Sequence, residues 1–330
     1  MEYRKIGKSG IKASTIALGT WGMGGGERWQ NTTNDSEAIY TICQAMDAGI
    51  NFIDTAPVYG LGHAESVVAR ALEGKRDRAI ISTKCGVHWR NADGEFMYIR
   101  DGADIYKSFD ESSIRKDLHD SLKRLKTDYI DVYIAHRVPQ TREGAFELSY
   151  ALQSLKKEGL IRAVGISNAS ATVLGYFLED GTVDLVQEKF NIMDNQILNE
   201  YMSLCLSHSV SIEGYNILLR GLLTGKIPLD YRPKPNDAHG VIKWFEPKRL
   251  GQIVSMVNDW RSIAEKYGCS LSALSTAYCM KAVPNLFALI GARTWSHLDE
   301  ILPAAGLVME QADFLKMSDD ADKVRNIWSE

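Results

Sequence analysis

Four side chains suited to proton transfer follow apolar segments of this 330-residue chain. Asp54 and Tyr59 lie in NFIDTAPVYGLGHAES, residues 51–66, where an apolar run passes into a turn. Lys84 ends the run ISTK, and His136 ends the run DVYIAH. An isolated phenol, with a pKa of about 10, is a poor acid at neutral pH, but a nearby ammonium group lowers that pKa. With Asp54 holding Lys84 charged and His136 donating to a substrate oxygen, these groups would protonate a carbonyl oxygen as hydride reduces it.

The elements that carry these residues repeat along the chain as a strand followed by a helix. The segment NDSEAIYTICQAMDAG, for example, supplies cap residues, apolar positions at helical spacing and a terminal glycine. The eight predicted strands are TIALGTW (15–21), INFIDTA (50–56), AIISTKCG (79–86), IDVYIAH (130–136), IRAVGISN (161–168), DLVQEKFNI (184–192), VSIEGYN (210–216) and LFALIGA (286–292). Strands that alternate with helices pair in parallel through right-handed crossovers. Eight such units in about 300 residues match a closed (β/α)8 TIM barrel, an α/β fold whose active sites lie at the carboxyl ends of the strands.

Barrel geometry predicts that the four groups converge, because strands that follow each other in sequence are neighbours in the barrel. Two long loops, residues 86–110 after the third strand and 216–248 after the seventh, fall on the same face. Loops of this length in a compact protein are usually functional. The glycine-rich GMGGGE, residues 22–27, lacks the spacing of a phosphate-binding loop and predicts a flexible first loop. No linker or shift in composition divides the chain, so we expect residues 1–330 to form a single domain rather than two.

The composition is that of an ordinary soluble globular protein, with 45% hydrophobic and 24% charged residues and a formal net charge of −4. A mildly acidic chain has no general attraction to nucleic acid or to an anionic membrane. No apolar stretch is long enough to cross a bilayer and the first residues show no leader pattern, so we expect a cytoplasmic location. Five cysteines without a CxxC pair are expected to be reduced, and scattered histidines without ligand spacing predict no metal site.

The chain resembles the aldo-keto reductase family, and the matching motifs run through nearly its whole length. They are LGTWGMG, FIDTAPVYGLGHAES, STKCG, SLKRLKTDYIDVYIAH, AVGISN, VQEKFN, GYNILLRGLLTGK and IGARTWSHLDE. Each motif is weak alone, but their order and spacing are specific. The resemblance implies a catalytic tetrad of Asp54, Tyr59, Lys84 and His136. It also implies reduction of a small-molecule carbonyl, in an aldehyde, ketone or sugar, by a nicotinamide cofactor that binds without a Rossmann domain.

The resemblance further implies where NADP(H) binds. The residues that match the positions holding the carboxamide are Ser167, Asn168 and Gln187. Tyr215 matches the aromatic residue that stacks on the nicotinamide ring. Residues 218–226, LLRGLLTGK, match the segment that covers the pyrophosphate, and residues 291–300, GARTWSHLDE, match the site of the adenosine 2'-phosphate and adenine. The candidate residues of these two segments are Leu218, Arg220, Gly221, Lys226, Gly291, Arg293, His297 and Glu300.

Arg293 favours NADPH over NADH as the cofactor. A guanidinium group binds the compact dianion of a 2'-phosphate through two parallel charge-assisted hydrogen bonds. Lys226 and Arg232, in the loop after the seventh strand, can close over the phosphates. The chain departs from the residues usual in the family at Asn216, Ile217, His297 and Ile301. Use of NAD(H) therefore stays open.

The candidate substrate-binding residues are the tryptophans in loops of the catalytic face, Trp21, Trp29, Trp89 and Trp244. Aromatic walls accept the faces of sugars as readily as aryl aldehydes, so the sequence leaves the substrate open. Two other functions also stay open. Lys84 beside Asp54 is what a barrel lyase that works through a Schiff base needs. Some members of the family serve as cofactor-sensing subunits of membrane complexes, and the sequence does not indicate an oligomeric state.

Overall fold

Eight parallel strands close into a barrel in the computed structural model, which describes residues 1–29, 34–234 and 237–328. The barrel strands β1 to β8 are Ile16–Gly19, Phe52–Asp54, Ile80–Cys85, Ile130–Ala135, Ile161–Ser167, Leu185–Lys189, Ser211–Tyr215 and Leu286–Gly291. Each strand pairs in parallel with the next one in sequence, and β8 pairs with β1. The (β/α)8 prediction is confirmed, and each strand lies within the segment predicted for it.

Helices with apolar faces cover the outside of the barrel. The helices α1 to α11 are Asp35–Asp47, His63–Ala71, Glu111–Leu125, Arg142–Lys157, Ala171–Leu178, Glu200–Ser207, Pro247–Asp259, Arg261–Lys266, Leu271–Ala282, Trp295–Asp299 and Gln311–Ile327. Asn34 caps α1 by accepting a hydrogen bond from the amide of Glu37, and the buried face of this helix includes Ile42 and Met46. Gly49 follows with a φ of 91°, which glycine adopts without strain. Within the described ranges, none of the helices is long and apolar enough to span a membrane.

The strands direct alternate side chains to opposite sides of the barrel wall. In β3, Lys84 points into the barrel, where it binds Asp54. Its neighbour Thr83 points outward and binds α2, and Cys85 packs in the helix layer. The pairing of β2 with β3 sets Asp54 opposite Ser82. Lys84 is two residues beyond Ser82 on the same inward face, so its side chain reaches back to Asp54.

Apolar side chains fill the lower part of the barrel. The rings of Phe52 on β2 and Phe287 on β8 pack edge to face with their centroids 5.6 Å apart. A hairpin of Tyr3–Lys5 and Lys12–Ser14 precedes β1. Ile6 and Ile11, between these two strands, belong to the same buried cluster as the phenylalanines. The opening segment of the chain therefore covers the amino-terminal end of the barrel interior.

Both long loops contain regular structure of their own. The loop after β3 forms a three-stranded antiparallel sheet of Val87–His88, Glu95–Arg100 and Ala103–Lys107, with the last strand in the middle. This sheet was not apparent from the sequence pattern, because its strands are short and much of the outermost one is exposed. The loop after β7 contains 3-10 turns at Leu219–Thr224 and Lys243–Phe245. The predicted positions of the two long loops are confirmed.

The first loop is packed against the turn after β2, a contact that the prediction of a flexible loop did not include. It forms 3-10 turns at Trp21–Met23 and Glu27–Trp29. A Cβ atom at Gly24 would lie 2.8 Å from the backbone carbonyl carbon of Tyr59, and one at Gly60 would overlap the carbonyl oxygen of Gly24. Glycines are needed here because two backbones touch. The first loop thereby supports the turn that carries Tyr59.

We predict that residues 1–330 unfold in one cooperative transition. A continuous apolar cluster packs the strands against the helices from Ile16 in β1 to Val324 in α11, so neither half of the barrel can unfold without exposing it. Far-ultraviolet circular dichroism and tryptophan fluorescence, followed through one urea titration, should give the same midpoint. Two separated midpoints would indicate two independently folding units.

We predict that Gly60→Ala is far more damaging than the matched substitution Gly74→Ala. Both glycines have positive φ, 59° and 71°, so each alanine adds a strain of about 1–2 kcal/mol. At Gly74 the added Cβ atom meets no described atom within 4 Å, whereas at Gly60 it overlaps the first loop. Overpacking of this kind costs about 1–3 kcal/mol more. Urea unfolding measures both free energies, and equal losses would contradict the close contact.

Candidate active site

A buried ion pair between Lys84 and Asp54 occupies the carboxyl end of the barrel interior. The ammonium nitrogen of Lys84 lies 2.8 and 2.7 Å from the two carboxylate oxygens of Asp54 and donates a third hydrogen bond to the carbonyl of Thr55, at 2.9 Å. Burial lowers the pKa of Lys84, but the Asp54 carboxylate, together with the smaller effects of Tyr59 and Glu213, raises the pKa above its usual value. Lys84 is therefore a fixed positive charge.

Tyr59 lies beside this pair, on the turn that follows β2. The centre of its ring is 5.0 Å from the ammonium nitrogen of Lys84 and 6.2 Å from the centre of the His136 ring. Burial raises the pKa of Tyr59 to about 12; the Lys84 charge lowers it, and the Asp54 carboxylate raises it. The Lys84 charge lowers the pKa of Tyr59 as expected, but this pKa is raised overall. Burial disfavours the phenolate more strongly than the ammonium group stabilises it.

His136 follows β4 and faces Tyr59. Its backbone amide donates to the carbonyl of Cys85 at 3.0 Å, and its own carbonyl accepts a hydrogen bond from the side chain of Asn168 at 3.1 Å. Burial, then the charges of Lys84 and of nearby arginines, lower the pKa of His136 well below its usual value. The imidazole is therefore neutral at neutral pH and has one N–H group to donate.

Glu65, which lies in the stretch 51–66 with Asp54 and Tyr59, faces away from this site. It is buried on α2 and accepts hydrogen bonds from Oγ1 of Thr83 at 2.7 Å and from Nε of Arg124 at 2.5 Å. Thr83 and Lys84 are adjacent in β3, so Glu65 and Asp54 bind opposite faces of one strand. The contacts of Glu65 join α2 to β3 and α3, which is a structural role.

The four residues predicted to hold the nicotinamide form one hydrogen-bonded group at the ends of β5, β6 and β7. Tyr215 donates its hydroxyl hydrogen to Oδ1 of Asn168 at 2.9 Å, and Nδ2 of Asn168 donates to Oγ of Ser167 at 2.9 Å. The Ser167 hydroxyl donates to the backbone carbonyl of Gln187 at 2.7 Å. The predicted residues are therefore brought together, next to His136, whose carbonyl Asn168 also binds.

Gln187 connects this group to the buried ion pair. Its amide nitrogen donates to Oδ2 of Asp54 at 2.9 Å and to Oε2 of Glu213 at 2.7 Å. Glu213 lies on β7, is 0% exposed, and was missed in the sequence. A carboxylate within the buried strand SIEGY is the pattern that could have indicated it. The site therefore contains two carboxylates rather than the one that was predicted.

The segment predicted to cover the pyrophosphate lies over the first loop. Arg220 has a φ of 51°, and its guanidinium carbon lies 5.0 Å from the centre of the Trp21 ring. Leu218, two residues earlier, packs partly buried against the helix-layer cluster. A Cβ atom at Gly221, or at Gly291 at the end of β8, would meet no described atom within 4 Å. The two glycines therefore border open space, which fits a bound dinucleotide.

The residues predicted to bind the adenosine end lie after β8, close to the seventh loop. Arg293 is exposed, and its guanidinium carbon is 5.3 Å from the centre of the Trp29 ring. His297 is exposed on α10. Glu300 accepts a hydrogen bond from the ammonium group of Lys226 at 2.6 Å. This ion pair joins the loop after β7 to the residues that follow β8.

Two of the predicted substrate-binding tryptophans border the mouth of the barrel. The ring centre of Trp21 is 6.4 Å from that of Tyr59 and 5.0 Å from that of Trp29. Both tryptophans are half-buried on the first loop. They therefore form an aromatic wall that begins at Tyr59.

The other two tryptophans differ from this pair: Trp89 packs against the same small apolar cluster as Tyr59, and Trp244 lies in the core. The half-buried Trp89 has its ring centre 5.6 Å from the guanidinium carbon of Arg124 on α3. Trp244 is 3% exposed, packs in the helix-layer cluster and donates its indole N–H to Asp194 at 3.1 Å. The structure does not support substrate contact by Trp244, because the end of the seventh loop folds back onto the core.

Known proteins with the same architecture are similar to this chain over nearly its whole length. Residues 15–320 match the Aldo/keto reductase family. The NADH-specific methylglyoxal reductase of Escherichia coli (strain K12) is 34% identical over 98% of this chain and 99% of its own length. The aldo-keto reductase YhdN of Bacillus subtilis (strain 168) is 32% identical over 95% of this chain and 91% of its own. A glycerol dehydrogenase from Gluconobacter oxydans has a similar structure, with a TM-score of 0.87 and 30% identity over 97% of this chain and 95% of that one. The chain thus belongs to the aldo/keto reductase family and is an NAD(P)H-dependent oxidoreductase.

Proposed function

We propose that this protein reduces the carbonyl group of a small aldehyde, ketone or sugar to an alcohol, with Tyr59 as the proton donor. The observation that carries the proposal is the convergence of three groups at the barrel mouth. The Tyr59 ring lies 5.0 Å from the Lys84 ammonium nitrogen and 6.2 Å from the ring of His136. A phenol, a fixed cation and a neutral imidazole are the groups that protonation of a developing alkoxide requires.

Each of these groups has a distinct task in the proposed reaction. A nicotinamide cofactor, once bound, would supply the hydride for the carbonyl carbon. His136 donates its N–H to the carbonyl oxygen and orients it, and Tyr59 transfers its proton as negative charge develops there. With a pKa of about 12, Tyr59 holds its proton across the neutral range. Lys84, kept charged by Asp54, stabilises the phenolate that is left.

The Schiff-base alternative has less support. An amine attacks a carbonyl only when it is deprotonated. The pKa of Lys84 is raised, and its three N–H donors bind Asp54 twice and Thr55 once. Borohydride treatment with a carbonyl compound, followed by mass measurement, would detect any adduct on Lys84. Steady turnover would likewise argue against a purely cofactor-sensing role.

For the substrate, we propose a short polar carbonyl compound. By their names, one relative acts on methylglyoxal and a similar structure belongs to a glycerol dehydrogenase. Trp21 and Trp29 supply an aromatic wall beside Tyr59. A panel of methylglyoxal, glyceraldehyde, a ketose and an aryl aldehyde, followed by the loss of reduced-nicotinamide absorbance, ranks these classes. Absence of turnover with every member would contradict the proposed function.

We also propose that NADPH is preferred to NADH. One relative is NADH-specific by name, so membership of the family does not decide the preference. The proposal rests on Arg293, whose exposed guanidinium lies over Trp29 in the segment that follows β8. A guanidinium suits the 2'-phosphate that distinguishes the two cofactors.

We predict that Tyr59→Phe lowers the rate of carbonyl reduction by about 10² to 10⁴, because general acid catalysis contributes that much. The affinity for NADPH should change less than about twofold, since the substitution removes only the proton donor. Single-turnover kinetics and fluorescence titration measure the two quantities separately. A variant that keeps more than about a tenth of the wild-type chemical rate would assign the proton to another group.

We predict that Arg293→Ala weakens NADPH binding by about 10- to 100-fold and leaves NADH binding nearly unchanged. The reason is that hydrogen bonds between charged groups contribute about 1.5–3 kcal/mol, and NADH lacks the phosphate. Quenching of tryptophan fluorescence gives both dissociation constants. Arg142→Ala, which removes an exposed arginine paired with Glu179 on the helix layer, is the control and should change neither. Equal losses for the two cofactors would refute a 2'-phosphate role.

A further inference from the structure

Glu213 is a buried carboxylate that the proposed reaction leaves without a task. It lies on β7 between Gln187 of β6 and Phe287 of β8, which are its partners in the strand register. Its side chain is 0% exposed. Oε2 accepts one hydrogen bond, whereas Oε1 has no hydrogen-bond partner among the residues that the structure describes. An acid in such surroundings costs free energy.

Among the described residues, Glu213 has one hydrogen-bond partner, the amide nitrogen of Gln187. An amide NH₂ group has two hydrogens to donate. One goes to Oδ2 of Asp54 at 2.9 Å and the other to Oε2 of Glu213 at 2.7 Å. The opposite orientation of the amide would set its oxygen against Oδ2 of Asp54, the carboxylate that binds Lys84, which repels it. The two acids therefore determine which way the amide is turned.

We propose that Glu213 is a positioning residue: with Asp54, it holds the Gln187 amide with its nitrogen toward the barrel interior and its oxygen toward the barrel mouth. Gln187 then presents an acceptor to the carboxamide NH₂ of the nicotinamide. The inference rests on the cofactor-binding role proposed for Gln187. Its neighbour Ser167, which binds the backbone carbonyl of Gln187, fixes the main chain but not the amide. Glu213 supplies the second constraint that the side chain needs.

Glu213 also acts electrostatically on the proton-transfer groups. The ionisable groups that face it are Asp54, Lys84 and Tyr59, whereas Gln187 and Phe287 beside it are uncharged. Burial and the Asp54 carboxylate raise the pKa of Glu213 above its usual value, against the lowering effects of Lys84 and of the bond from Gln187. Once ionised, Glu213 raises the pKa of Tyr59. As the pH rises, Glu213 therefore helps Tyr59 to retain its proton.

The test compares Glu213→Leu with Glu213→Gln, alone and combined with Gln187→Leu. Glu213→Leu should raise the dissociation constant of NADPH about tenfold, which corresponds to the loss of one hydrogen bond. Glu213→Gln should raise it less than about threefold, because its amide oxygen still accepts from Gln187. In the Gln187→Leu background, Glu213→Leu should add less than about twofold, since the residue through which it acts is gone.

The pH profile of turnover provides a second measurement. Glu213→Gln removes a negative charge that raises the pKa of Tyr59, so the alkaline limb of carbonyl reduction should move to lower pH. A residue that served only packing would leave this limb in place. The isosteric Glu213→Gln variant decides this point even if Glu213→Leu fails to fold, as its thermal unfolding would reveal.

Two results would overturn the proposal. One is a folded Glu213→Leu variant with unchanged affinity for NADPH; the other is an equal loss in the presence and absence of Gln187. Both results are measured as NADPH binding in the absence of a carbonyl compound. Failure of the proposed carbonyl reduction would appear instead as binding without turnover, so the two failures are distinguishable.

Discussion

The candidate active site depends on the buried ion pair of Lys84 and Asp54. An ammonium group inside a barrel loses its hydration and is stable only beside an opposite charge with its hydrogen bonds satisfied. Asp54 and the Thr55 carbonyl use all three donors of Lys84, and Ser82 and Gln187 both donate to Oδ2 of the carboxylate. Removal of one partner from such a pair typically costs about 3–5 kcal/mol. This rigidity keeps the positive charge beside the phenol ring.

The same surroundings act in opposite directions on Tyr59 and His136. Burial disfavours the charged form of any group, so it raises the pKa of the phenol and lowers that of the imidazole. Both side chains are therefore neutral hydrogen-bond donors before reaction. Lys84 is the exception, because its acidic neighbours, Asp54 above all, together outweigh the effect of burial. The site thus combines one fixed charge with two neutral donors that respond when charge develops on a substrate oxygen.

The loops at the barrel mouth provide the part of the site that the strands do not form. Trp21 and Trp29 of the first loop lie beneath the guanidinium groups of Arg220 and Arg293, which belong to the segments after β7 and β8. The first loop in turn rests on the backbone of the Tyr59 turn. Contacts between these segments therefore link the proposed cofactor site to the proposed proton donor. A dinucleotide bound across them would lie on loops of the barrel face, and no separate nucleotide-binding domain is needed.

The sequence alone determined the eight strand-helix units and the strand ends that carry Asp54, Lys84 and His136, because strand and helix periodicities are local properties. Since parallel neighbours end at the same face, convergence of these residues with Tyr59 also followed from order along the chain. Burial and long-range pairing were decided only by the tertiary structure. It raised the net pKa of Tyr59, buried Trp244 in the core and set Glu213 behind Gln187. The physical reason is that these properties depend on partners far apart in sequence; the hydrogen bond from Gln187 to Asp54 spans 133 positions.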